Sequence, residues 1–114
     1  MGKIKMALAL AVLIAVAVPA MAQNQPKNTA EALQGAYNRA FTMSTWYQAC
    51  GSKADEENYG QAASLFRALG QAEKIHYSRY SDAIVKATGA MPKIEIAPPT
   101  VHDTKENLER AVKD

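Results

Sequence analysis

The chain has 114 residues, with 13 basic and 11 acidic residues and a formal net charge of +2. Two of the 13 basic residues, Lys3 and Lys5, lie within the first 22 residues, so the remainder has as many basic as acidic residues. This balance gives no reason to expect nucleic acid as a partner. The single cysteine, Cys50, excludes an intrachain disulfide framework and a cysteine-rich zinc or iron site within one chain, and its apolar helical surroundings predict a buried side chain.

Residues 1–22 have the pattern of a secretory signal peptide. A basic start is followed by an apolar run from Met6 to Val18, and Ala20-Met21-Ala22 has the small residues of a cleavage site. The apolar run is short for a membrane span, although an uncleaved anchor is the alternative. We therefore expect cleavage after Ala22, no stable membrane anchor afterwards, and a periplasmic or secreted protein.

Residues 23–28 are predicted to form a flexible lead-in, and a long first helix is predicted to start at Thr29. Asn28, followed three positions later by Glu31, is a capping-box arrangement. The acidic run 55–57 is expected to be a solvated helix end, with Asn58 or Gly60 as the left-handed residue that stops the helix. The inward positions recur at steps of three and four residues: Leu33, Tyr37, Ala40, Ser44, Tyr47, Gly51 and Ala54.

A second long helix is predicted from residues 59–61 to Thr88, where Gly89 and then Pro92 end it. Its inward positions follow the same steps: Ala62, Phe66, Leu69, Glu73, His76, Tyr80, Ala83 and Ala87. Two long helices joined by a short turn pack against each other, so the sequence predicts an antiparallel hairpin.

Residues 93–102 read as an extended crossover, in which His102 is expected to be a solvated loop residue. Asp103, three positions before Glu106, then predicts the start of a third helix. Phe41 and Trp46 lie beside the main apolar positions of the first helix, and one interpretation is that they mark a self-association surface. The predicted fold class is all-α: an antiparallel helical hairpin plus the start of a third helix.

Glu73 and His76 are the residues that carry chemistry. A carboxylate and an imidazole three positions apart on a helix lie on one face and can bind one metal ion together. Taken alone, such a pair is most often an exposed ion pair, but its place among inward apolar residues favours a metal site. The mixed oxygen and nitrogen donors suit iron, manganese or zinc.

The chain resembles the ferritin-like di-iron domain of rubrerythrins from about Thr29 to Asp114. The segments that carry the resemblance are 52–68, 72–76 and 103–108. It implies half of a ferritin-like four-helix bundle, bound iron, and reduction of hydrogen peroxide in oxidative-stress defence. By the same resemblance, Glu73 and His76 match metal ligands, and Tyr47 matches a tyrosine near the metals and is the one catalytic candidate. Ala40 stands where the family has a glutamate ligand.

Two hypotheses follow. In the first, the protein is a rubrerythrin-like metalloprotein whose site is completed between chains of a homo-oligomer, with one ion in place of two because Ala40 supplies no carboxylate. In the second, it is a truncated or degenerate half-domain without catalysis or bound metal, which acts through self-association. The sequence has no second Glu-x-x-His motif and no Cys-x-x-Cys motif, so the resemblance covers the N-terminal half of the family's domain and no rubredoxin-like module.

Overall fold

The computed structural model describes residues 28–113, which form three α-helices: α1 (Thr29–Glu56), α2 (Gly60–Thr88) and α3 (Thr104–Lys113). This range contains no strand, and the predicted all-α hairpin with a third helix is confirmed. The predicted signal peptide, residues 23–27 of the lead-in and Asp114 lie outside the described residues. Within the described range, none of the helices has the length and apolar character needed to cross a membrane.

The ends of α1 are set by local sequence, as predicted. The Asn28 side chain accepts a hydrogen bond from the Glu31 N–H at 2.9 Å and thereby caps the first turn. Asn58 adopts φ 65°, and the Tyr59 N–H then donates to the Ala54 carbonyl at 2.8 Å. An asparagine tolerates this left-handed conformation, so the chain reverses within three residues and α2 returns antiparallel to α1.

Small residues let α1 and α2 approach closely. A Cβ placed on Gly70 would lie 3.4 Å from the Tyr47 Cβ, and the Ser44 hydroxyl donates to the Gly70 carbonyl at 3.1 Å. Gly51 lies in the same way against Ala63. These contacts fix the register of the hairpin. The core beside them consists of Trp46, Tyr47, Cys50, Ala54, Ala63 and Phe66.

The crossover runs along α1 as an extended segment, which we call the strap (residues 93–100). The Gln34 amide donates to the Lys93 carbonyl at 2.7 Å and accepts from the Lys93 N–H at 3.0 Å. One helical turn later, the Asn38 side chain accepts from the Glu95 N–H at 3.4 Å. Polar side chains on one face of α1 thus hydrogen-bond to the backbone of the strap. These bonds satisfy backbone N–H and C=O groups of the strap that are not paired with another strand.

Trp46 joins α1, the strap and α3. Its indole N–H donates to the Thr100 carbonyl at 3.2 Å, and the Arg110 guanidinium lies 5.4 Å from the ring centroid. Trp46 is 7% exposed, so the interpretation of Trp46 as a self-association surface is wrong: the strap and α3 cover it. Phe41 is half-buried in a cluster with the rings of Tyr37 and Tyr77.

The start of α3 is attached to the end of α1 by Glu57. One Glu57 carboxylate oxygen accepts hydrogen bonds from both the N–H and the hydroxyl of Thr104, each at 2.7 Å. Asp103 accepts from the Glu106 N–H at 2.8 Å, which confirms the predicted cap. Asp55 and Glu56 are exposed, as expected for a solvated helix end, and Asp55 pairs with Arg67. The expectation is corrected only for Glu57, which is partly buried and caps α3.

Asn107 is fully buried on α3, and the backbone of His102 satisfies its side chain. The amide donates to the His102 carbonyl at 2.9 Å and accepts from the His102 N–H at 3.0 Å. A buried amide without such partners would be costly, so this pair of bonds holds the turn that leads into α3. With Thr104 near Glu57 and Arg110 over Trp46, α3 runs antiparallel to α1.

We predict that Gly70→Leu lowers the free energy of unfolding by about 1–3 kcal/mol, because a side chain beyond Cβ overpacks the contact with α1. Gly35→Leu is the matched control, since nothing lies within 4 Å of a Cβ at Gly35. Leucine favours helix over glycine, so the control should equal or exceed the wild type in stability. Urea unfolding followed by circular dichroism measures both. Equal losses at the two positions would contradict the close contact.

Glu57 should give α3 a pH-dependent attachment. The hydrogen bonds from the hydroxyl and N–H of Thr104, together with the charge of Lys53, hold the pKa of Glu57 below its ordinary value, while burial and Asp103 oppose the shift. A carboxyl group with a lowered pKa in the folded state stabilises above its unfolded pKa of about 4.3, and this contribution is lost as the pH falls through the folded pKa.

The Thr104 amide proton shift, followed by NMR from pH 7 to 2, should therefore titrate with a midpoint below that of an ordinary glutamate. Glu57→Gln should abolish this titration, and Glu56→Gln, which removes an exposed ion pair with Lys53, should leave it unchanged. A midpoint at or above the ordinary value would show that Glu57 does not hold α3.

Candidate metal centre

Glu73 and His76 lie one turn apart on α2 and face the same side of the helix. The His76 Nδ1 is 3.5 Å from the Glu73 Oε2. The His76 side chain is 55% exposed and the Glu73 side chain is 27% exposed. The pair is therefore in contact, but the prediction that both side chains face inward is wrong for His76, which is exposed, and Glu73 is only partly buried. The buried residues of α2 are Ala63, Phe66, Gly70 and Ile84, so the donor pair lies beside the packed face and remains partly accessible from outside the hairpin. That accessibility is what a donor pair needs if further ligands are to reach the same ion.

The pair lies on the wall of a hollow of about 490 Å³ between α1 and α2. Its lining residues are Gly35, Ala36, Arg39, Ala40, Glu73, His76 and Tyr80. They come from the first half of α1 and the second half of α2, which the antiparallel hairpin brings side by side. The described part of α3 packs farther along α1, where Arg110 covers Trp46, and leaves the hollow open.

Ala40 decides how many donors the hollow contains. Its side chain is buried, 4% exposed, and lies in the wall beside Glu73 and His76, but a methyl group cannot bind a metal. Across residues 28–113, no three or more His, Cys, Asp and Glu side chains are grouped so that they could hold a metal ion. The described residues of one chain supply two donors, which do not fit a two-iron centre.

Tyr47 lies outside the hollow. It is 8% exposed and packs in the core, with its ring centroid 5.2 Å from that of Trp46 and 6.3 Å from that of Phe66. Across the hairpin, the Cβ of Tyr47 packs against Gly70, which lies about one turn before Glu73 on α2. The aromatic residue that lines the hollow is Tyr80, one turn after His76.

Arg39 lines the hollow, although no sequence pattern indicated it as a site residue. It is exposed and lines the hollow together with Glu73 and His76. An arginine next to a small inward residue on a helix is common on solvated faces, so the sequence around Arg39 carried no signal for it. Its place at the hollow depends on the packing of α1 against α2.

A second pair of the same chemical type provides an internal comparison. The His102 Nδ1 is 3.6 Å from the Glu106 Oε2, and the side chains are 40% and 51% exposed. The side chain of His102 is thus partly solvated, while its backbone binds Asn107. Contact between a histidine and a glutamate is therefore not what distinguishes Glu73 and His76; their position in the hollow is.

Cys50 is not a candidate ligand. It is fully buried in the core, as predicted, and burial raises the pKa of its thiol to about 11, despite an opposing effect of Arg110. The thiolate is the form that binds metals and reacts with disulfides, so a thiol with this pKa is inert at neutral pH.

The family model described as Rubrerythrin matches residues 1–84. The matched residues include the predicted signal peptide, all of α1 and most of α2, and thus Ala40, Glu73 and His76. No curated protein and no solved structure matches the chain.

Proposed function

The chain belongs to the rubrerythrin family, and on that premise we propose that it is an exported metal-binding protein in which Glu73 and His76 supply half of a metal site. The observation that carries the proposal is the position of this pair on the wall of an open hollow, with both side chains partly accessible. Members of this family typically bind iron. The donor pair also suits manganese and zinc.

The remaining donors are proposed to come from a second copy of the chain. One carboxylate and one imidazole leave at least two positions unfilled around a four-coordinate ion, and more around a six-coordinate one. A second Glu73 and a second His76 would provide a set of two carboxylates and two imidazoles. Because Ala40 adds no bridging carboxylate, this set suits one ion and not two.

Peroxide reduction, with a role in oxidative-stress defence, is the activity that family membership suggests for a completed site. In the described residues, Glu73 and His76 would hold the ion, and the Arg39 guanidinium would bring positive charge to the same hollow. Tyr80 would cover one side of the hollow with its ring. Tyr47 would support the site from the core by packing against α2 near Gly70.

Export is proposed from residues 1–22, whose basic start, apolar run and small-residue end are typical of a cleaved signal peptide. The secreted chain would begin at Gln23 and be found in the periplasm or outside the cell. The intact mass of the protein recovered from these fractions tests this directly.

One observation favours a second candidate function. Ala40 occupies the position of an expected ligand, and its buried methyl group adds no donor to the hollow. A half-domain without catalysis, which acts through self-association, would fit this loss. It would bind no metal and consume no peroxide.

We predict that the purified mature protein binds one iron, manganese or zinc ion per two chains. Glu73→Gln and His76→Asn should each weaken binding by at least about tenfold to a hundredfold, since loss of even an outer-shell partner typically has an effect of this size. Metal content by mass spectrometry and affinity by calorimetry measure this. Peroxide consumption by the loaded protein, absent in His76→Asn, would support the first function over the second.

The chain supplies matched controls for these variants. Glu106→Gln and His102→Asn alter a pair of the same chemistry and similar exposure outside the hollow, and both should retain wild-type metal content. A metal-free wild type, or equal losses in both sets of variants, would contradict the proposed site and favour the second function.

A further inference from the structure

One face of α2 continues from the hollow along nearly the whole helix. We call it the α2 stripe; its members recur at steps of one, three and four residues, which keeps them on one side of the helix. They are Ala62, Leu65, Leu69, Ala72, Glu73, His76, Tyr80, Ala83 and Ala87. In the hairpin they lie beside the face that packs on α1. Leu65 is 50% exposed, and Ala72 and Ala87 are exposed as well.

The α2 stripe is suited to close contact with another helix. Four of its nine members are alanines, which let helix backbones approach, and Glu73 and His76 are its only carboxylate and imidazole. At its N-terminal end, Leu65 and Ala62 form an apolar groove of about 510 Å³ with Leu108 of α3. A partner helix would meet an apolar groove at one end and the hollow at the other.

The stripe also has a centre that coincides with the donor pair. It runs from Ala62 to Ala87, and its midpoint falls between Glu73 and His76. If two copies pair antiparallel about that midpoint, Glu73 of one lies opposite His76 of the other, and Ala62 lies opposite Ala87. A parallel pairing would set Glu73 against Glu73, and like charges in contact are unfavourable.

We propose that a second copy of this chain packs on the α2 stripe, antiparallel, about a two-fold axis between Glu73 and His76. The same patch then meets itself, as a two-fold interface requires. Large residues meet small or aromatic ones, with Leu65 near the partner's Ala83 and Leu69 near the partner's Tyr80. The charge complementarity of Glu73 with the partner's His76 is what favours a second copy over an unrelated helix.

The pairing gives the proposed metal site its partner and its geometry. Only the presence of an ion between the two chains rests on the proposed function. The pairing itself rests on the stripe. Residues that contribute to the hollow from α1, Arg39 among them, would lie at the edge of the interface and add positive charge near the partner's Glu73.

Spin-label distances test the geometry. Ile75→Cys places a label near the proposed axis, and Lys86→Cys places one far from it; both positions are exposed, and the buried Cys50 does not compete for the label. At 1.5 Å per residue, the antiparallel pair separates the two Lys86 positions by about 35 Å along the helices and the two Ile75 positions by less than about 2 Å. The expected result is a short intermolecular distance for Ile75→Cys and a long one for Lys86→Cys.

Short distances at both positions would indicate a parallel pair, and the absence of an intermolecular distance would indicate no pair; either overturns the inference. Metal content of the same samples separates this outcome from failure of the proposed function. An ion bound by a monomer refutes both the pairing and the completion of the metal site by a second copy. A metal-free pair with the predicted distances confirms the pairing and refutes the metal site.

A charge variant provides an independent check. Ala72→Glu brings two added carboxylates together near the axis and should weaken self-association by about tenfold or more. Gln71→Glu adds the same charge on the outer face of α2 and should leave association unchanged. Both positions are exposed, so circular dichroism should show wild-type helix content. Equal effects of the two variants on sedimentation would contradict the stripe as the interface.

Discussion

The close contact between Ser44 and Gly70 sets the register on which the rest of the structure depends. The serine hydroxyl binds the glycine carbonyl, and the missing side chain at Gly70 lets Tyr47 pack against the backbone of α2. One turn farther, the same register sets Ala40 beside Glu73. The register of the two helices thus sets which residues line the hollow, and the alanine at position 40 limits its donors to Glu73 and His76.

The strap and α3 cover the hairpin near its turn and leave the part around Glu73 and His76 open. Trp46 binds the strap through its indole N–H and lies beneath Arg110, while Glu57 holds the first residue of α3. These contacts cover the face of the hairpin near the turn. The face around Glu73 and His76 stays open, so the part of the molecule with the metal donors is also the part available to a partner.

Much of the fold was predictable because its signals are local. The Asn28 and Asp103 caps, the left-handed Asn58 and the terminating Gly89 each depend on a few neighbouring residues. Glu57 was not predictable, because its partner Thr104 is 47 positions away and a glutamate at a helix end is usually solvated. The burial of Trp46 depends in the same way on the path of the strap, which the pattern of prolines does not specify. For the site, helical spacing was enough to pair Glu73 with His76. The significance of Ala40 came from the family resemblance, and the place of Arg39 at the hollow follows only from the packing of α1 against α2.

The central claim is that one chain holds half of a metal site and a second copy completes it. Native mass spectrometry of the mature protein, loaded with iron, manganese or zinc, counts chains and ions in the same particle. The account predicts a species of two chains and one ion. A single chain that retains an ion, or a pair of chains that never contains one, would contradict it.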